Sequence, residues 1–164
     1  MSNLGLSKFA ESHDINLIQT KVGDRYVLEE MLKNGYNIGG EQSGHIILLD
    51  YNPTGDGILT SLMLIQILLE RGCTASELYK EMTKFPQVLE NVKVDSNKKN
   101  LYLEDTEIQL EIKSIEKELG NNGRIVIRPS GTEPLIRIMI EGKDINEIKE
   151  YATKLANLIK TKLN

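Results

Sequence analysis

The sequence predicts an α/β unit with a mixed sheet and flanking helices over residues 1–72, followed by a small α+β unit over 73–164 whose helices pack on an antiparallel sheet. Three observations lead there. Up to Gly72, helical apolar periodicity alternates with short strand-like runs across short loops, the pattern of a layered α/β unit. After Gly72 the order becomes β-α-β-β-α, which suits helices laid on an antiparallel sheet. The loop "RPSGTEP" (128–134) joins the two most strand-like runs, "RIVI" and "LIRIMIEG", as a hairpin.

Each element has a local reason. Leu6, Phe9 and Ala10 fall on one face of a short N-terminal helix, and "LIQTKV" (17–22) reads as a strand. Asp24 is placed to cap a helix with the stripe Val27, Leu28, Met31 and Leu32, closed by Gly35. "HIILLD" (45–50) reads as a buried strand from its continuous apolar run. Residues 57–71 form a helix apolar on most faces, roughly 22 Å long at about 1.5 Å per residue. Beyond it, "SELYKEMTKF" (76–85) reads as a helix stopped by Pro86, and "VLENVKV" (88–94) as a strand. Ile108, Ile112, Ile115 and Leu119 mark an amphipathic helix over 105–119 that "NNG" ends. Asp144 and Glu147 start the last helix as a capping-box pair, with the stripe Ile145, Ile148, Ala152, Leu155 and Ile159.

Composition removes several function classes. Of the 164 residues 40% are hydrophobic and 27% charged, so the chain reads as a globular protein that needs no disulfide or metal staple. The single cysteine, Cys73, has no internal partner and fits a reducing compartment. A net charge of −4 gives no electrostatic footprint for nucleic acid, and the pair Lys98 and Lys99 reads as a solvated turn. The longest apolar run, "ILTSLMLIQILL" (58–69), is too short to span a membrane, and no signal peptide is visible. The expectation is a cytoplasmic protein with no nucleic-acid or membrane partner.

Two loops have the residue types of a binding site. In "RPSGTEP", Gly131 permits converging backbone N–H groups, Ser130 and Thr132 add hydroxyls, and Arg128 adds a planar fork for phosphate oxygens. Arg137 interrupts an apolar strand and needs a partner or an exit to solvent. Glu133 can pair with either arginine, so a phosphate site and a purely structural hairpin both fit. In "GGEQSGH" (39–45), Glu41 and Ser43 suit sugar hydroxyls and His45 offers an acid, a base or a donor. A glycine-rich turn with a satisfied polar residue fits the same letters. "EQSGH" lacks the glycine of a nucleophile elbow, and "DYNPTGDGILTS" puts Ser61 where a calcium loop needs glutamate.

Taken together, these segments resemble the α-D-phosphohexomutase superfamily, and most closely its bacterial phosphoglucosamine mutase branch. The resemblance runs from "MSNLGL" through "KVGDRYV", "GGEQSGH", "TGDG" and "MTKFPQ" to "RPSGTEPLIR". It implies that residues 1–72 are the later part of such an enzyme's third domain and 73–164 its fourth. It implies that Glu41 and Ser43, with His45 beside them, bind hexose hydroxyls, and that Asp24 with Arg25 is the glucosamine-branch form of a further substrate-binding segment. Phosphate binding falls on Arg128, Ser130, Gly131 and Thr132, with Arg137 in support.

The implied reaction interconverts glucosamine 6-phosphate and glucosamine 1-phosphate through a bisphosphorylated sugar, which is both intermediate and activator. Its phosphorylated serine and its Mg²⁺ loop have no counterpart in these letters: no serine sits in a matching segment, and "TGDG" has one aspartate. The resemblance therefore implies no catalytic residue, no metal ligand and no bound cofactor in this chain, and an inactive isolated fragment. Its implied partners are the phosphosugar substrate, the N-terminal domains of the same enzyme and, for the whole enzyme, a second copy. Another phosphohexomutase acting on mannose or glucose phosphates, and a non-catalytic phosphosugar-binding module, are the alternatives.

Overall fold

The computed structural model describes residues 2–164, which form two compact units, one ending at Lys84 and the other beginning at Phe85. The division lies beyond the composition change at Gly72, which turns out to be an ordinary left-handed helix cap inside the first unit.

In the first unit, α1 (Leu4–Ser12) starts at Asn3, whose side chain accepts from the Gly5 amide at 3.0 Å. The expected strand at 17–22 does not form. Ile15, Ile18 and Val22 stay exposed, and no neighbouring strand among the described residues pairs with this segment. Helix α2 (Asp24–Asn34) has Gly23, not Asp24, at its cap; Asp24 is the first helical residue and accepts from the Arg25 amide at 2.8 Å. Met31 alone of the expected stripe is buried, while Leu32 is exposed.

Strands β1 (Ile38–Gly40) and β2 (Ile46–Leu48) pair antiparallel, Gly40 opposite Ile46, so the loop 41–45 is the tip of a hairpin. Of "HIILLD" only Ile47 is buried. Helix α3 (Gly57–Arg71) is capped by Asp56, whose carboxylate accepts from Ile58 and Leu59 at 3.0 Å each. The Leu59 amide first, then the Asn52 side-chain amide, hold the Asp56 carboxyl below its usual range, with Ile58 a smaller contributor. Helix α4 stops at Tyr79 instead of running to Pro86 (Ala75–Tyr79), because Lys80 and Glu81 bond back three residues and tighten the last turn.

The second unit has the expected order. Strand β3 (Gln87–Lys93), helix α5 (Thr106–Leu119), strands β4 (Arg124–Pro129) and β5 (Leu135–Glu141) and helix α6 (Ile145–Leu163) follow in sequence. All strand pairs are antiparallel in the order β3-β5-β4. Side chains alternate across a strand, so Ile136, Ile138 and Ile140 share one face with Val92, Ile125 and Ile127. That face packs on Ile108 and Ile115 of α5 and on Ile148, Ala152, Leu155 and Ile159 of α6, all buried. The helix stripes thus follow their predicted spacing, save that Ile145 is exposed. Asp144 caps α6 by accepting from Asn146 and Glu147, but the Glu147 carboxylate takes the Tyr151 hydroxyl instead of returning to the cap. No helix among the described residues is long and apolar enough to cross a membrane.

The packing separates two kinds of isoleucine. Ile138 is fully buried at the centre of the sheet, whereas Ile58 on α3 is 79% exposed. Urea unfolding followed by circular dichroism is expected to show a loss of about 3–4 kcal/mol for Ile138→Ala. Ile58→Ala is expected to change stability by less than about 0.5 kcal/mol. Equal losses would contradict this burial pattern.

Candidate functional site

The hairpin tip of the first unit brings three of its predicted residues together. The Glu41 amide donates to the His45 carbonyl at 2.9 Å, closing the loop, and Gly44 turns it at φ 99°. A Cβ at position 40 would lie 2.6 Å from the His45 carbonyl oxygen, so the two chain segments approach as closely as they do only because residue 40 is glycine. Inside the loop the Ser43 hydroxyl donates to Glu41 Oε1 at 2.6 Å and lies 2.9 Å from His45 Nδ1. Ser43 has one hydroxyl proton and gives it to Glu41. His45 Nδ1 therefore donates to the Ser43 oxygen, and in the neutral form of the ring Nε2 is then an acceptor. The Glu41 side chain is only 14% exposed and that of His45 52%, so the carboxylate orients the trio while the imidazole meets solvent.

Asp24 and Arg25 do not join this group through any hydrogen bond or ion pair. Arg25 Nε is 2.8 Å from Glu29 Oε1 on the same helix, and this carboxylate raises the already high guanidinium pKa. Its side chain is otherwise open to solvent.

In the second unit, the loop between β4 and β5 is tied down from several sides. Ser130 N donates to the Leu135 carbonyl at 2.9 Å, Glu133 N to Ser130 Oγ at 3.2 Å, and Val94 N to the Pro134 carbonyl at 3.0 Å. Ser130 is buried, so its oxygen shapes the loop, and its hydroxyl proton is what it has left to offer. Gly131 does not take a positive φ, and a Cβ there would meet nothing; the loop closes without the left-handed turn that a glycine permits. Among the described residues the amides of Gly131 and Thr132 have no acceptor.

The two arginines differ. Arg128 on β4 and Arg137 on β5 are direct cross-strand partners, on the sheet face opposite the helices. Arg137 Nη2 is bound to Glu133 Oε2 at 2.7 Å, which answers how a guanidinium can sit in an apolar strand: it leaves by the alternate face. Arg128 makes no ion pair or side-chain hydrogen bond among the described residues. Among the described residues, the Arg128 guanidinium near the end of β4 and, in the loop after it, the amides of Gly131 and Thr132 are donors without an acceptor, and donors of these types suit oxyanions.

Sequence reasoning missed one residue here. Lys99 Nζ donates to the Ser130 carbonyl at 2.6 Å and to the Glu133 carbonyl at 3.2 Å, so the lysine pair is not a solvated turn. Lys98 Nζ likewise reaches the Leu163 carbonyl at 3.1 Å. Nothing in the local letters signals contacts that span 31 and 34 residues. As for metal, among the described residues no three His, Cys, Asp or Glu side chains cluster closely enough to hold an ion. With mainly N–H and cationic donors at the second loop and a single carboxylate, Glu41, at the tip of the first, these residues do not suit Mg²⁺, which takes oxygen ligands.

Comparison with known proteins adds a family context. The family model for phosphoglucomutase/phosphomannomutase alpha/beta/alpha domain III matches residues 1–85, and that for the C-terminal domain matches residues 89–158. The phosphoglucosamine mutase of Clostridioides difficile is 57% identical over 164 residues, all of this chain and 37% of its own length. That of Caldicellulosiruptor saccharolyticus is 59% identical, with 36% of its length covered. The chain therefore spans little more than a third of the curated relatives it matches. Among solved structures, Aspergillus fumigatus N-acetylphosphoglucosamine mutase superposes with a TM-score of 0.83 at 21% identity, over 98% of this chain and 37% of that one, a likeness of fold.

The hydrogen bonding in the first loop has a direct test. With the ring neutral, long-range ¹H–¹⁵N spectra are expected to show His45 protonated at Nδ1, and Ser43→Ala is expected to return it to the common Nε2–H form. An Nε2–H tautomer in the unsubstituted chain would contradict the assignment.

Proposed function

This chain belongs to the phosphoglucomutase/phosphomannomutase family, and from that premise we propose that it is the sugar- and phosphate-recognition part of a mutase interconverting glucosamine 6-phosphate and glucosamine 1-phosphate. The name shared by its relatives, phosphoglucosamine mutase, supports the amino sugar as substrate. In this reading Glu41, Ser43 and His45 hold sugar hydroxyls: Glu41 and the His45 Nε2 accept, and Ser43 keeps both in place. Asp24 and Arg25 are substrate-binding residues of the same unit, reached by rearrangement of the Arg25–Glu29 pair. Arg128, Gly131 and Thr132 bind the phosphate directly. Ser130 shapes their loop, and Arg137 adds charge while Glu133 holds it.

The observation that supports the phosphate assignment is that, among the described residues, Arg128 has no ion pair or side-chain hydrogen bond and the Gly131 and Thr132 amides have no acceptor. A guanidinium and backbone N–H groups are complementary to an oxyanion, and the loop is already ordered, so little is lost in arranging it. Binding energy on a phosphate that does not react serves to place the oxygen that does, where small displacements are costly. We further propose that the reacting serine, the Mg²⁺ that would neutralise phosphoryl charge and the bisphosphorylated intermediate's second contact belong to the remaining length of the relatives. The chain alone is then a binder without turnover. Its location in the cytoplasm and a second copy in the whole enzyme belong to the same proposal.

Amide spectra of the chain titrated with glucosamine 6-phosphate are expected to shift at Gly131 and Thr132 and within 41–45. Arg128→Ala is expected to weaken binding more than about tenfold, the loss of a charge-assisted pair. No shift at Gly131 and Thr132, or an Arg128→Ala variant that binds as well, would support the purely structural hairpin instead.

A further inference from the structure

We propose that Lys99 is a positioning residue of the phosphate loop, holding the Ser130 carbonyl so that the Gly131 N–H is presented to an anion; this rests on the phosphate reading given above. In a trans peptide the carbonyl and the following N–H point in opposite directions. No peptide bond among the described residues is cis. The Ser130 carbonyl points at the Lys99 ammonium, 2.6 Å away, so the Gly131 N–H points away from it. Rotation of that one peptide would turn a carbonyl oxygen toward the anion and remove a donor at the same time. Glycine at 131 offers no side chain to resist such a rotation, and its open surroundings offer no packing against it. The lysine supplies the restraint that the glycine lacks.

The restraint is itself anchored. Lys99 lies three residues before the buried Tyr102, whose hydroxyl donates to the Ile127 carbonyl at 3.3 Å. Ile127 directly precedes Arg128, so one short segment fixes both the base of the free arginine and the orientation of the loop peptide. The same ammonium also covers the Glu133 carbonyl, so two peptide dipoles have their negative ends neutralised beside an anion site. A lysine that merely solvated a turn would do none of this.

The test is an amide titration of the 164-residue chain with inorganic phosphate, for the unsubstituted protein, Lys99→Met, Lys99→Arg and Lys98→Met. Lys99→Met is expected to weaken phosphate binding about tenfold and to change the Gly131 N–H residual dipolar coupling before phosphate is added. Lys99→Arg, which keeps charge and donors, is expected to bind within about threefold of the unsubstituted chain. Lys98→Met removes the same charge without touching the loop and is expected to bind within about twofold. Phosphate affinity and Gly131 coupling unchanged in Lys99→Met would overturn this inference and leave the phosphate reading standing. An equal loss in Lys98→Met would also overturn it, by reducing Lys99 to general charge. No phosphate binding by the unsubstituted chain would overturn both. Should Lys99→Met not fold, Lys99→Gln is judged by the same affinities.

Discussion

One carboxylate between two guanidinium groups sets the character of the second unit. Arg128 and Arg137 face each other across β4 and β5, and like charges directly opposite on a sheet repel. Glu133 can neutralise one of them and is bound to Arg137. The same sheet face shows the contrasting arrangement at its other end, where Arg124 and the buried Glu141 are cross-strand partners joined at 2.6 Å. One end of the ladder carries a matched pair, and the other carries an excess positive charge with open amides beside it. In the proposed function an anion would complete the second end as Glu141 completes the first.

The loop of the first unit is built on a different principle. Its polar groups bond to one another through Ser43. Such an arrangement exchanges easily with hydroxyl groups, which both donate and accept, and gives little attraction to a doubly charged phosphate. Under the proposed function the loop of the first unit would take sugar hydroxyls and that of the second unit phosphate oxygens.

The second unit was legible because its signals are local. The interval of Ile108, Ile112, Ile115 and Leu119, and the alternation along "LIRIMIE", specify buried faces without reference to distant residues. The first unit was less so. "LIQTKV" has the letters of a strand, but a strand exists only by pairing, and no partner meets it. Met82 and Phe85 continue the helical spacing of Leu78 beyond the point where three-residue backbone bonds end α4. Among site residues, Glu41, Ser43 and His45 were readable as a cluster because four residues and a glycine turn hold them together. Lys99 was not, since its partners lie a whole helix and strand away, and charge beside asparagine and serine ordinarily signals solvent. The free state of Arg128 was equally hidden, because the letters allow Glu133 to choose either arginine.

The claim on which the rest depends is that Arg128 and the 131–132 amides form an anion site. A crystal structure of the chain with glucosamine 6-phosphate tests it most directly. The account predicts the phosphate on the Arg128 guanidinium and the amides of Gly131 and Thr132, with Glu133 still on Arg137. Phosphate bound elsewhere, or Glu133 transferred to Arg128 with the loop empty, would contradict it.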